Sequence, residues 1–254
     1  MFKLAVAGNP IVHSKSPELF KSAGLTLSYI KIQTSSATKL IDYLIKNKFD
    51  GCNLTSPLKE TIIPHLDTLD DIAKTIGAVN TLKIQKGKLM GFNTDPYGVI
   101  ASLQNFSLEG KKSLILGTGG AAKSAIYALK NLQVCLTISG RNELKLNDLS
   151  KHFKISSIPW SKVENRIKDF DLIISTLPSI LDCALDLPIS SNQIFLDANY
   201  KDLYLEKYPS RINGLNWLKS QATKSLEIFT GKKNCPLNFL LESSTSDLEL
   251  IVLD

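Results

Sequence analysis

Two kinds of segment in this chain could do chemistry. The first is Gly117-Thr118-Gly119-Gly120-Ala121-Ala122, which follows the apolar run Leu114-Ile115-Leu116 and opens a helical stretch through Lys130. A Gly-x-Gly-x-x-Ala turn between a strand and a helix lets backbone approach a pyrophosphate and aims the helix's first N–H groups at it. A plain tight turn could carry the same residues. At the end of the following strand, about 20 residues on, a chain that prefers NAD carries Asp or Glu for the ribose 2′-hydroxyl. This chain has Ser139-Gly140-Arg141-Asn142 there, with Lys145 one helical turn further. Arg141 offers a planar guanidinium to a phosphate, so the pattern points to NADP(H). Glu143 argues the other way, because a carboxylate there repels a 2′-phosphate and accepts from a free hydroxyl.

The second kind consists of three polar islands before that loop. In Asn9-Pro10-Ile11-Val12-His13-Ser14-Lys15-Ser16-Pro17, hydroxyls at i and i+2 beside a helix N-terminus suit a carboxylate. In Asn53-Leu54-Thr55-Ser56-Pro57-Leu58-Lys59, strand alternation puts Asn53 and Thr55 on one side, and Lys59 follows on the next helix's first turn. The third runs Gly77-Ala78-Val79-Asn80-Thr81-Leu82, then Gly91-Phe92-Asn93-Thr94-Asp95. Each island alone also reads as caps and turns. Together they supply a lysine, an aspartate, asparagines and hydroxyls at strand ends of one small domain, which suits a polyhydroxylated acid.

The elements that must hold these groups follow from periodicity and breakers. Phe2–Ala7 reads as a buried strand, and Ser16-Pro17-Glu18 as a helix start with Ser16 as N-cap and Pro17 at N1. Leu27–Ile32 is a second strand. Residues 37–46 have helical period, with Leu40, Ile41, Leu44 and Ile45 on one side. A short strand over 50–55 leads to a helix start at Ser56-Pro57. Residues 67–74 are expected to be helical, and Val79–Ile84 with Lys88–Phe92 to form a hairpin about Lys86-Gly87. This βαβαβ-like unit is expected to be complete by about residue 95. A second unit starts near Pro96. Its strands at 113–116, 134–139, 172–175 and 194–197 alternate with helices near 120–130 and 142–151, the pattern of a parallel, doubly wound α/β sheet. An apolar-periodic helix runs from Leu215 to about Thr230. A last helical turn or two near Leu237–Leu241, a Ser-rich loop at Ser243–Ser246 and an irregular tail end the chain.

The totals exclude several classes. The 254 residues suit two modest domains, and 43% hydrophobic with 21% charged residues suffices for proper cores. The net charge of +6 is scattered, without the basic clusters or aromatic interleaving of a nucleic-acid groove. It suits anionic small ligands. Cys52, Cys135, Cys183 and Cys235 lie far apart, and His13, His65 and His152 add no ligand spacing, so no metal site is expected. The same spacing fits a reducing, cytoplasmic setting. The apolar start breaks at Gly8-Asn9-Pro10 and makes a poor signal peptide. No apolar run approaches the ~20 residues of a membrane span.

With these segments in order, the chain resembles the shikimate dehydrogenase family. The matches are G-N-P-I-V-H-S-K-S-P, N-L-T-S-P-L-K, G-A-V-N-T-L, N-T-D, G-T-G-G-A-A, Tyr200 after I-F-L-D-A-N, and Gly214-Leu215 with Gln221. They span nearly the whole chain. The resemblance implies an N-terminal three-layer α/β substrate domain (1–96), completed by C-terminal helices (214–254), around an NADP-binding Rossmann domain (97–213). It implies NADPH-dependent reduction of the 3-keto group of 3-dehydroshikimate to shikimate, in the chorismate route to aromatic amino acids. By position, Lys59 and Asp95 are the catalytic pair. Lys59 donates the proton that the keto oxygen needs as hydride arrives, and Asp95 keeps Lys59 charged and oriented. Ser14 and Ser16 take the substrate carboxylate, with Tyr200 at that end. Asn53, Thr55, Asn80 and Gln221 take its hydroxyls and keto edge. Gly117, Thr118, Gly119, Gly120 and Ala121 take the pyrophosphate. Ser139, Gly140, Arg141, Asn142 and Lys145 surround the adenosine phosphate. Ala198 and Gly214 approach the nicotinamide, and Asp71 matches an acidic position near the cofactor. Small-molecule partners only, and a monomer or homodimer, are expected.

The chain departs from the family mainly on the cofactor side. Gly140-Arg141-Asn142 stands for the usual Asn-Arg-Thr, and Ser175-Thr176-Leu177-Pro178 for a segment with an early Gly. Ala198 and Asn216-Trp217 occupy slots near the nicotinamide that usually hold, respectively, a larger residue and a small residue or Met. Pro96 replaces a common Gly. Two alternatives remain at this level: an NAD-preferring quinate/shikimate dehydrogenase, and a non-catalytic shikimate-binding homologue.

Overall fold

The computed structural model describes residues 1–177, 187–200, 208, 211–233, 235, 237–238 and 249–253. The chain divides into two compact units, one of Met1–Thr94 with Leu218–Asp254 and one of Asp95–Trp217.

The first unit is built on β1 (Phe2–Gly8), α1 (Ser16–Lys21), β2 (Leu27–Gln33), α2 (Ala37–Lys46), β3 (Gly51–Leu54), α3 (Leu58–Thr61), β4 (Thr68–Leu69), α4 (Asp71–Ile76), β5 (Thr81–Gln85) and β6 (Lys88–Phe92). In the second unit follow α5 (Asp95–Leu103), β7 (Lys112–Leu116), α6 (Gly120–Lys130), β8 (Cys135–Ser139), α7 (Glu143–Phe153), β9 (Ser156–Ser157), α8 (Val163–Arg166), β10 (Leu172–Ser175), β11 (Ile194–Asp197) and β12 (Arg211–Ile212). The chain then returns to the first unit through α9 (Leu215–Thr230) and β13 (Leu250–Val252).

Among the described residues, the first unit holds a mixed seven-stranded sheet of order β13-β2-β1-β3-β5-β6-β4. Alternation along β1 decides its two faces. Ala5 and Ala7 enter a cluster with Leu40, Leu44 and Leu58, whereas Leu4 and Val6 enter one with Leu19, Phe20, Leu226 and Phe229. The second sheet runs β12-β11-β10-β7-β8-β9, parallel at every described pairing. This is the doubly wound order, and its connections reverse between β7 and β10, where such sheets bind ligands beyond the strands' C-terminal ends. Ile115 and Ile174 pack on one face, and Leu114, Leu116 and Ile173 on the other.

Several expectations shift. The α1 helix starts a residue early: Lys15 is its N-cap, Ser16 is already helical, and Ser14 Oγ accepts from the Ser16 N–H at 3.3 Å. That local turn satisfies a donor the cap would otherwise serve. Ile45 is 52% exposed. At ~100° per residue it falls ~90° from the centre of the buried Ala37–Leu40–Ile41–Leu44 arc. Residues 67–74 are not one helix. Thr68 and Leu69 pair with Met90 and Gly91, Asp67 Oδ2 accepts from the Leu89 N–H at 2.7 Å, and the helix begins only after Asp70, whose side chain caps the Ala73 N–H at 2.7 Å. Tertiary strand pairing outweighs local helical period there. The hairpin strand begins at Thr81, because the Val79 N–H bonds Lys59 O at 2.8 Å instead. Lys86 and Gly87 both take positive φ, 52° and 75°, as a two-residue hairpin turn requires.

The unit is also not complete at residue 95. The tail expected to be irregular supplies β13, parallel to β2 with Ile251 opposite Ile32, and α9 packs Ala222, Leu226 and Phe229 beneath β1. Leu237 and Asn238 are not helical, and 239–248, including Ser243–Ser246, lie outside the described residues.

Candidate active site

Backbone hydrogen bonds draw the three polar islands together. The Asn9 N–H donates to Ser56 O (2.9 Å) and the Thr55 N–H to Ala7 O (2.9 Å), joining the loops after β1 and β3. Gly8 makes this approach possible, since a Cβ there would collide with Thr55 Cγ2 and lie 2.8 Å from Ser56 O. The Leu54 N–H bonds Asn80 O and the Val79 N–H bonds Lys59 O, both at 2.8 Å, tying the third island to the second. Lys59 is the second residue of α3 and half-buried.

Beneath the loops lies a buried network of amides and hydroxyls. Asn80 Nδ2 donates to Thr94 Oγ1 (2.9 Å) and Gln221 Oε1 (3.2 Å), while its Oδ1 accepts from the Thr94 N–H (2.8 Å) and the Thr81 hydroxyl (2.9 Å). Asn53 Nδ2 donates to Ser225 Oγ (3.0 Å) and Thr81 Oγ1 (3.3 Å), and the Tyr29 hydroxyl donates to Asn53 Oδ1 (2.8 Å). Burial pushes the Tyr29 phenol well above its usual range; Cys52 adds to the rise, and a hydrogen bond with the Ser16 side chain pulls the other way. Ser16, Tyr29, Asn53, Thr81, Ser225, Thr94, Asn80 and Gln221 thus form one chain of partners, all buried. A buried polar group without a partner costs about 1–3 kcal/mol, so the network is self-consistent or not stable at all.

The structure therefore gathers Ser16, Asn53, Asn80 and Gln221, from widely separated stretches, into one network. Ser14 and Thr55 lie on its bordering loops. Tyr29 and Ser225 were not among the residues singled out from the sequence. Ser225 is at i+4 from Gln221 and accordingly shares its helix face, a usable signal. Tyr29 sits in an ordinary strand pattern and gave none.

In the second unit the Gly-rich turn joins β7 to α6, the strand–turn–helix setting expected of it. Gly117 has φ +120°, a conformation disfavoured for side-chain-bearing residues, and a Cβ would strike Thr176 Oγ1. Its N–H bonds Ser139 O at 2.8 Å. Gly119 is the N-cap of α6, and no side chain caps that helix. A Cβ on Gly119 would meet nothing within 4 Å. An uncapped eleven-residue helix behind an open glycine fits the diphosphate of a dinucleotide. Thr118, Gly120 and Ala121 are half-buried beside it. Gly140 allows Thr118 to lie close, with Thr118 Cγ2 2.5 Å from where a Cβ would stand.

The other candidates divide. Arg141 and Lys145 are exposed beyond β8, free to meet a phosphate in solvent. The Asn142 side chain is the N-cap of α7, accepting from the Lys145 N–H at 3.0 Å, and Glu143 opens that helix, where its charge suits the dipole. The Ser139 side chain is fully buried, its Oγ without a hydrogen-bond partner, so its contribution to the turn is through the carbonyl. Ala198 is half-buried next to Gly214, whose missing side chain is required: a Cβ would collide with Ala198 O. Below them Asp197 and Arg211 form a buried ion pair at 3.2 Å. Burial raises the Asp197 carboxyl from its usual range; the Asn199 backbone N–H, then Arg211, draw it back. Tyr200 is half-buried after this strand. Asp71 is exposed at the first turn of α4. Asp95 is 5% exposed, opens α5, and accepts from Trp217 Nε1 at 3.4 Å. Among the described residues no helix is long and apolar enough to cross a membrane.

Comparison with known proteins bears on this arrangement. A family model of the shikimate dehydrogenase substrate binding domain matches residues 6–82, and one of shikimate / quinate 5-dehydrogenase matches 100–181. The shikimate dehydrogenase (NADP(+)) of Staphylococcus epidermidis is 33% identical over 90% of this chain and 92% of its own length. That of Staphylococcus aureus is 36% identical over 91% and 93%. The crystal structure of shikimate dehydrogenase from Aquifex aeolicus is similar at a TM-score of 0.82 with 31% identity, covering 92% of this chain and 94% of that one. Shikimate 5-dehydrogenase from Thermus thermophilus, in complex with NADP(H) and shikimate, is similar at 0.77 with 27% identity, covering 92% and 95%.

Proposed function

The chain belongs to the shikimate dehydrogenase family, and from that premise we propose how its own residues carry out the reversible NADPH-dependent reduction of 3-dehydroshikimate to shikimate. The observation that carries the reading is the buried network joining Asn53, Asn80, Thr94 and Gln221 next to the α3 helix that bears Lys59. Amides and hydroxyls held by one another keep a fixed orientation, and can bind a polyhydroxylated ring by exchanging some of these bonds for bonds to its hydroxyls.

Bound NADPH supplies the hydride. As negative charge grows on the keto oxygen, the Lys59 ammonium stabilises it and delivers the proton, and in the oxidative direction the amine takes it back. Asp95 is the counter-charge that orients the ammonium. Ser14 and Ser16 hold the substrate carboxylate, with Tyr200 at that end. Thr55, with Asn53, Asn80 and Gln221, holds the hydroxyls and keto edge. Gly117 to Ala121 hold the pyrophosphate. Arg141 and Lys145, with Ser139, Gly140 and Asn142, shape the 2′-phosphate site. Ala198 and Gly214 border the nicotinamide, and Asp71 stands near the cofactor. On this reading residues 1–96 and 214–254 are the substrate domain and 97–213 the nucleotide domain. The enzyme acts on small molecules in the cytoplasm, as a monomer or homodimer.

The test is the rate with NADPH and with NADH on 3-dehydroshikimate, and with quinate in reverse. Faster turnover with NADPH and with shikimate is expected. Faster turnover with NADH or quinate overturns the cofactor and substrate assignment in favour of a quinate/shikimate enzyme, the alternative that Glu143 beside Arg141 favours. No dehydroshikimate-dependent oxidation, with shikimate still raising the melting temperature, would establish a non-catalytic binder.

A further inference from the structure

Trp217 is 5% exposed and packs in an apolar cluster with Val99 and Leu103. Its indole is not only filler. Nε1–H donates to Asp95 Oδ1 at 3.4 Å, between two buried side chains. A third position makes the contact possible. Gly98 lies three residues along α5 from Asp95 and hence on the same face. A Cβ there would collide with Trp217 Cδ1 and lie 2.5 Å from the Trp217 carbonyl oxygen. A carboxylate at a helix start, a gap one turn later and a ring laid into the gap make up one built contact.

The chemistry of the donor matters. An indole N–H only donates; it neither accepts nor titrates. It fixes a carboxylate oxygen without neutralising the charge, as Lys or Arg would. Met, Leu or Phe would fill part of the same space and supply no donor. We infer that Trp217 is a positioning residue for the reaction, holding Asp95 Oδ1 so that the carboxylate keeps one orientation. The inference rests on the proposed role of Asp95 in catalysis.

The chain has two tryptophans, so the indole N–H region of a proton–nitrogen correlation spectrum contains two signals, assigned by Trp160→Phe. Asp95→Ala is expected to move the Trp217 signal and speed its exchange with solvent, leaving Trp160 in place. Trp217→Phe is expected to lower kcat about three- to tenfold, the range for one hydrogen bond of ordinary strength, with KM for 3-dehydroshikimate within about twofold. In the Asp95→Ala background the same substitution should change kcat less than about twofold. An unmoved indole signal, an unchanged kcat in Trp217→Phe, or effects that multiply in full each overturn the inference. If Trp217→Phe does not fold, the isosteric analogue with sulfur in place of N–H, incorporated into Trp160→Phe protein, makes the same test at matched volume. A moved signal with unchanged kcat in Asp95→Ala refutes the catalytic assignment of Asp95 and this role with it. An unmoved signal with a depressed kcat refutes the inference alone.

Discussion

Asn80 and Gly119 mark two ways of building a candidate binding surface. Asn80 is 2% exposed, and its amide nitrogen and oxygen both have partners on Thr94, with Gln221 and Thr81 completing the set. Gly119 is exposed, and a side chain added to it would touch nothing within 4 Å. The polar centre of the first unit is a closed set of side-chain bonds, in which losing one member strands several others. The turn of the second unit presents backbone and a helix end that no side chain caps. Its outlying cations, Arg141 and Lys145, are exposed and expendable to the fold. Substitutions in the first region should therefore damage stability and substrate binding together, and those at the rim of the second should change nucleotide choice alone.

The largest effect expected is chemical. Lys59→Ala should lower kcat by about two to four orders of magnitude, the usual worth of a positioned acid–base group, with KM for 3-dehydroshikimate little changed. Steady-state kinetics with saturating NADPH decide it, and an unchanged kcat would remove Lys59 from the mechanism. Next, Asn80→Ala should strand the Thr94 N–H and its hydroxyl partners and destabilise the protein by about 3 kcal/mol. Denaturant unfolding measures this, and KM for the substrate should rise in the same variant. A loss under about 1 kcal/mol would mean the network is looser than its geometry. The smallest effect separates the two regions most sharply. Arg141→Ala should raise KM for NADPH about tenfold, as for one lost charge-assisted contact. KM for NADH and the melting temperature should stay as they were. Equal changes with both nucleotides would show that Arg141 does not read the 2′-phosphate.

Much of this was legible in the residues because it depends on local rules. The turn at Gly117 needs glycine whatever surrounds it, given its φ of +120°. The Lys86-Gly87 hairpin and the helical period of α2 likewise follow from near neighbours. Residues 67–74 did not, because Asp67 and Thr68 join a sheet through Leu89 and Met90. A strand-forming pair and a helix-forming stretch look alike until the partner strand is placed.

By itself, the sequence determined the doubly wound unit, the Gly-rich turn and the order of polar islands that signals the family, since each is written in contiguous residues. Only the tertiary structure decided that the tail Leu250–Val252 closes the first sheet beside β2 and that Ser225 and Tyr29 complete the network around Asn53. The same holds for the Trp217 indole reaching Asp95 across the gap left by Gly98. The physical reason is range. Caps, turns and periodicity act over a few residues. A hydrogen bond between positions 53 and 225, or 95 and 217, exists only after the chain has been packed into cores that bring them within 3.5 Å.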